Sequence, residues 1–178
     1  MKESMILFSK TQEEEEVFHQ EDLVALFPFG LSLNQDATRP ILLLKDAQHD
    51  LTLPVAINPL EAGATLSQTS SQVNPSTPHR FTQLLLSSLN IEIKQCVFVQ
   101  VKGVHQYVRI YFSGHPYVNS LKLRADEAMS LCVSLNVPLF ASRKIIEASK
   151  MMTAEIQGMN ETVMRDPRVL DKKHHWLM

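Results

Sequence analysis

The sequence predicts an α+β fold, a mixed and largely antiparallel sheet with helices packed on it. Three observations predict it. Two stretches near the middle, "IEIKQCVFVQVKG" and "VHQYVRIYF", alternate with the period of two that a half-buried strand requires. Other stretches repeat their apolar residues at i, i+3 and i+4 and have helix-start residues ahead of them. The segments come in blocks (strands, a helix pair, a three-strand meander, helix, strand, helix) and not in the strict strand–helix alternation of a parallel sheet.

The elements follow in order. "DLVALFPFGLSL" reads as a strand, and Pro28, which has no N–H to give, makes it an edge strand or a bulged one. "RPILLLKD" and "LTLPVAI" form a hairpin around the turn cluster Asp46 to Asp50. The continuous apolar run Ile41 to Leu44 predicts cover on both faces. A helix runs from Pro59 to about Thr69, followed by a polar loop with two prolines. A second helix, about His79 to Asn90, puts Phe81, Leu84, Leu85 and Leu89 on one stripe expected to be buried. In the meander, Ile91, Ile93, Val97, Val99 and Val101 are expected to share a face. So are Val104, Val108, Ile110 and Phe112, with His105, Tyr107, Arg109 and Tyr111 on the reverse. Lys102-Gly103 and Gly114-His115-Pro116 supply the turns. "DEAMSLCVSLN" is a helix with Ala128, Leu131, Cys132 and Leu135 on one side. The strand "VPLFA" and a helix capped by Ser142, carrying Ile145, Ile146 and Met152, close the series.

The 178 residues are enough for one domain with tails, expected as an acidic leader over 1–20, a domain over 21–150 and a helical or irregular extension over 151–178. Hydrophobic residues make up 44%, enough for a core, and the net charge of −2 is no footprint of a tight, sequence-independent nucleic-acid binder. Weak contact with DNA or RNA through a local patch stays open. Cys96 and Cys132 have neither a disulfide framework nor metal-ligand spacing, and each sits in an apolar segment, which predicts buried free thiols. The apolar stretch at the N-terminus, Met5 to Phe8, is too short for a signal-peptide core or a membrane span. The expectation is a cytoplasmic protein with no membrane partner. Glu13 to Glu16 read as solvated charge or a docking site for a basic partner, and the tail as a recruiter of a protein partner of unknown kind.

"RPILLLKD…LTLPVAINPLEAGATL", the helix after a proline loop, and "VNSLKLRADEAMSLCVSLNVPLFAS" together resemble the bifunctional nuclease domain, over about Asp22 to Lys150. The resemblance implies hydrolysis of DNA and RNA with a divalent metal as helper, and an α+β fold forming dimers or larger homo-oligomers. Several positions depart from the family pattern. Asn58 stands where the family usually has glycine, while the acid at Glu61 is kept. Thr82-Gln83-Leu84 stand where it usually has threonine-histidine-aspartate. Arg124-Ala125-Asp126-Glu127-Ala128 stand where it usually has arginine-proline-serine-aspartate-alanine.

Each candidate has a plain and a chemical reading. Asn58, Pro59 and Glu61 suit the N-cap, first and third positions of a helix, a capping-box arrangement with Asn in the cap. Asp126 is a natural N-cap and Glu127 complements the helix dipole. In the chemical reading Glu61, Asp126 and Glu127 converge on one Mg²⁺ or Mn²⁺, ions that take hard oxygen ligands. The metal would activate water and clamp a phosphate. Arg124 holds a phosphate or pairs with Asp126 or Glu61. Thr82 is the one member of its triplet retained, a catalytic candidate or a local cap. His79 stands in for the missing histidine only if its offset along the helix is overcome. The His105–Tyr111 face stacks bases and binds phosphate, or forms a half-exposed sheet face or a subunit interface. His174 and His175 read as solvated. Three functions remain open: metal-dependent phosphodiester hydrolysis by Glu61, Thr82, Arg124 and Glu127, a homo-oligomeric binding or regulatory module that has lost that activity, or a small-molecule or nucleotide sensor using the same residues.

Overall fold

The computed structural model describes residues 22–32, 39–69 and 79–152. The leader, almost all of the C-terminal extension, Glu13 to Glu16, His174 and His175 lie outside the described residues. The elements are β1 (Leu23–Ser32), β2 (Ile41–Lys45), β3 (Thr52–Ala56), α1 (Pro59–Thr69), α2 (His79–Ser88), β4 (Glu92–Lys102), β5 (His105–Ser113), β6 (Ser120–Arg124), α3 (Ala125–Ser134) and β7 (Leu139–Ser142). Residues 143–152 form a further helix, α4. One seven-stranded sheet runs in the order β3-β2-β1-β7-β4-β5-β6. β4 and β7 pair in parallel, and the other pairs are antiparallel. This is the α+β class expected.

Turn chemistry fixes the hairpins. Asp46 accepts at its side chain from Leu51 N (2.9 Å) and at its carbonyl from His49 N (3.1 Å), with His49 at φ 65°. Gly103 takes φ 57° between β4 and β5. Gly114, at φ 89°, lies against the Asn90 carbonyl, where a Cβ would come within 1.9 Å of the oxygen. Only glycine fits there.

β1 is bulged and is not an edge strand. Leu23 to Leu26 pair with β7, Phe27 to Ser32 pair with β2, and the register breaks between Pro28 and Gly30. Pro28 therefore sits where β1 has already left β7 and no ladder bond on that side is asked of it. Cover on β2 is uneven: Leu42 and Leu44 are buried, Ile41 and Leu43 only half so.

The expected single face on β4 does not exist. Bulges between Ile93 and Gln95 and between Phe98 and Gln100 switch the alternation twice. Ile93 and Val101 lie opposite Phe112 and Gln106 on the face that packs inward, while Val97 lies opposite Arg109 on the reverse.

The sheet curls until its first strand meets its far side. Gln106 of β5 donates from Nε2 to the Pro54 carbonyl of β3 at 2.8 Å. α3 packs in that concave side against β3, β5, β6 and α1, with Ala125, Ala128, Met129 and Cys132 buried. The core is led by Phe98, Leu42, Leu44, Leu53, Ile57, Met129 and Ile146. Cys96 and Cys132 are buried free thiols side by side, and burial with the hydrogen bond between them pushes the Cys96 thiol far up.

α2 reverses an expectation. Phe81 (74% exposed), Leu84, Leu85 and Leu89 face outward, and His79, Thr82 and Leu86 face the body. Periodicity identifies an apolar face but not what covers it. Among the described residues no helix is long and apolar enough to cross a membrane.

Candidate functional site

The start of α1 is capped by Asn58. Its Oδ1 accepts from Leu60 N at 3.0 Å and its carbonyl from Ala62 N at 2.9 Å, with Pro59 in the first position where its missing N–H costs nothing. The Glu61 carboxylate turns instead to α2, where Oε2 stands 3.6 Å from His79 Nε2. The same nitrogen lies 2.5 Å from the Oγ of Ser130, buried on α3. The His79 side chain is 12% exposed and Glu61 32%, so the pair opens to solvent on the Glu61 side. Thr82, half-buried, sits one turn beyond His79 on the same face of α2. Gln83 and Leu84, at the family's histidine and aspartate positions, are exposed.

A second cluster lies at the start of α3. The N-cap lies two residues earlier than the expected Asp126. Arg124 is the N-cap, without a side-chain capping bond, and Asp126 is the second helical residue. Asp126 serves not as cap but as partner of Arg124. Nε donates to Oδ1 at 2.8 Å and Nη2 donates to Oδ2. That bond raises the Arg124 guanidinium above its ordinary range, with Glu127 and Tyr107 adding to it. Arg39, just before β2, brings Nη1 to 3.9 Å from Asp126 Oδ2. Asp126 and Ser130 are four residues apart on α3, hence on one face and about 6 Å apart along the axis. The two clusters are neighbours along that face.

A resident Mg²⁺ or Mn²⁺ asks for several oxygen donors aimed at one point. Both Asp126 oxygens are engaged by Arg124, Glu127 is exposed and Glu61 turns to His79. Among the described residues no three His, Cys, Asp or Glu side chains gather as a metal-holding group. As placed, the three carboxylates do not fit a resident ion. Of the residues expected from sequence, Glu61 joins His79 with Thr82 nearby, Arg124 joins Asp126, and Glu127 stands apart from both clusters.

Sequence reasoning did not single out Arg39 or Ser130. Ser130 had one signal, its i+4 spacing from Asp126. Arg39 had none, because its partner is brought by the curl of the sheet.

Comparison with known proteins finds relatives over most of the chain. Two curated proteins of Mycobacterium tuberculosis, the uncharacterized proteins MT1877 and Rv1829 of two strains, are each 23% identical to the chain over 143 residues. That is 79% of this chain and 85% of each relative. The profile of the bifunctional nuclease domain matches residues 42–154, a span that includes Glu61, His79, Arg124, Asp126 and Ser130 but not Arg39. With more than half of its length inside that match, the chain belongs to the bifunctional nuclease domain family.

Proposed function

We propose that the chain hydrolyses phosphodiester bonds of DNA or RNA beside the Asp126–Ser130 side of α3. His79 moves the proton, and Arg124 and Arg39 meet the phosphate. The observation that carries this is His79 Nε2 placed between Glu61 and Ser130, one helical turn from a carboxylate flanked by two arginines. Phosphodiester hydrolysis needs a base to take a proton from water and an acid to return one to the leaving oxygen. Histidine is suited to both, and Glu61 and Ser130 meet the same ring nitrogen, Nε2, which holds that nitrogen in place. Thr82, one turn away, is a further hydroxyl on the same face of α2. Arg124 presents a planar fork that matches two phosphate oxygens as well as the two of Asp126, so substrate phosphate competes with Asp126 for it. The reading places the protein in the cytoplasm, where both nucleic acids are present.

The test is cleavage of labelled single- and double-stranded DNA and RNA by purified protein with Mg²⁺, Mn²⁺ or chelator. Glu61→Gln, His79→Gln and Glu127→Gln proteins run beside it. Cleavage lowered by a factor of about 10² to 10⁴ in folded His79→Gln, and kept in Glu127→Gln, is expected. Unchanged cleavage in His79→Gln removes this reading.

One observation favours a second reading, a non-catalytic homo-oligomeric module. The outward stripe of α2, Phe81, Leu84, Leu85 and Leu89, presents about 400 Å² of apolar surface, half of the roughly 800 Å² per partner in a standard interface. A second copy of the chain is its occupant in that reading. No cleavage on any substrate, together with a mass above 20.2 kDa in solution, supports it.

A further inference from the structure

β4 outruns its neighbour toward the middle of the sheet. β7 pairs with it only from Cys96 to Phe98, so among the described residues no strand lies beside Glu92 to Gln95 on that side. Ile93 turns its backbone toward this gap. Opposite residues of an antiparallel pair either exchange both N–H···O bonds or point them away from each other. Ile93 lies opposite Phe112, whose N–H donates the other way, to the Asn119 carbonyl at 2.9 Å. The N–H and C=O of Ile93 therefore point away from β5, into the gap. At one end of the gap Ile91 N donates to the Leu86 carbonyl of α2, and at the other Cys96 N donates to the Pro138 carbonyl, each at 2.9 Å. Between them lies a groove of about 330 Å³, bounded by α2, the start of β4 and the turn from α3 into β7. Leu86, Ile91, Ile93 and Leu135 line it and are only half-buried. The charged residues of its lining, Glu92 and Lys94, pair with each other, which leaves a neutral rim.

We propose that this groove takes Met5 to Phe8 of the same chain as an added strand alongside Ile93. Outside the described residues, Met5 to Phe8 is the only run of four apolar residues in the sequence. Ser4 to Ser9 around it carries no charge, which suits a neutral rim over an apolar lining. In a strand, Met5 and Leu7 share one face and Ile6 and Phe8 the other, so either register offers two large side chains to Leu86 and Leu135. Main-chain bonds to Ile93 supply the affinity, and the alternate side chains select the segment. The chain is long enough to reach. β1 begins at Leu23, opposite Ser142 of β7, and Pro138 is about 13 Å further along that line. The stretch from Phe8 to Leu23 can extend to about 50 Å. Seating the segment closes an open strand edge. It also braces α2, which buries none of its residues fully and carries His79. Docking stands whether or not His79 moves a proton.

The experiment is hydrogen–deuterium exchange of the full chain, read by mass spectrometry. Peptides covering Met5 to Phe8 and Asn90 to Gln95 are expected to exchange more slowly, by about tenfold or more, than in an Ile6→Asp/Leu7→Asp protein. That variant changes nothing among the described residues, so peptides from β5 exchange alike in both proteins. Ser87→Arg, at an exposed position on the α2 wall, fills the groove from the other side and releases the segment. A labelled peptide of Lys2 to Thr11 binds the Ile6→Asp/Leu7→Asp protein. It binds the wild type more weakly by about tenfold or more, because the tethered segment competes at about millimolar effective concentration. Met5 to Phe8 exchanging at the rate of unstructured chain overturns the proposal, and so does protection that survives Ser87→Arg. Peptide binding that is equal in the two proteins, or absent from both, does the same. Protection of Met5 to Phe8 that fades on dilution puts another copy's segment in the groove and also overturns it.

Discussion

Replacing Asp126 with asparagine separates two roles for this carboxylate. The change keeps the side-chain size but removes the charge and turns one acceptor of the Arg124 fork into a donor. The pair is neither exposed nor deeply buried: the side chains are 35% accessible for Arg124 and 15% for Asp126, with Arg39 at 51%. Exposed pairs contribute up to about 1 kcal/mol, and breaking a buried one costs about 3–5 kcal/mol, so a loss of about 1–2 kcal/mol is expected here. For a chain of this size that is a fall of about 2–8 °C in Tm. The guanidinium is raised in the folded state, so its contribution is complete below its ordinary range and is lost only as pH rises through the folded value. It therefore adds no pH dependence to the variant in the neutral range. Affinity for a phosphate-bearing strand moves the other way. Asp126→Asn frees the Arg124 fork and removes a negative charge beside Arg39, so oligonucleotide affinity rises by roughly three- to tenfold at low salt. Thermal melting and anisotropy on the same preparation read both quantities. Weaker binding, or a folded variant whose metal-dependent cleavage falls more than a hundredfold, refutes the reasoning and makes Asp126 a metal ligand.

Three further outcomes are expected. Gly114→Ala forces a Cβ against the Asn90 carbonyl at a φ of 89° and lowers the urea-unfolding free energy by about 2–4 kcal/mol; a loss under 0.5 kcal/mol contradicts the turn geometry. Cys96, raised by its bond to Cys132 and by burial, stays closed to a thiol reagent until the chain unfolds, and stoichiometric labelling of the native protein runs against that. The Leu84→Glu/Leu85→Glu protein keeps its melting temperature, because both positions are exposed, and lowers the mass seen by light scattering toward 20.2 kDa. A wild-type mass already at 20.2 kDa removes self-association through α2.

The features that could be read from sequence were those whose causes lie within a few residues. Asn58 caps α1, and Ser142 Oγ accepts from Ile145 N at 3.3 Å to start α4. The turn at Asp46 and those at Gly103 and Gly114 demand residue types that local chemistry restricts. The meander and the reverse face of β5 followed from alternation alone. The two bulges of β4 were hidden because a bulge is a mismatch between two strands and leaves no mark in either one. The cap of α3 was misjudged by two residues because Asp126 is a good cap by type, whereas the fork of Arg124 gives it a stronger partner.

The contacts of the proposed site were hidden for a related reason. Placing the family's histidine and aspartate at Gln83 and Leu84 makes the helix look stripped of chemistry. Those two positions face solvent, and the body-facing row of α2 is His79, Thr82 and Leu86. A helix start moves its whole row of inward residues with it, so the position that matters is set by which residue meets Ser130 across 51 residues of chain. Periodicity along α2 gives both rows but cannot rank them, since the more apolar row is the one left outside. The contact of Glu61 with His79 needs two helix starts brought together, and that of Arg39 with Asp126 needs β3 curled back toward α3. Both are consequences of sheet closure. Under the proposed reading a residue-by-residue match to the family points at two exposed positions, whereas His79 is the histidine to mutate and Thr82 shares its inward row.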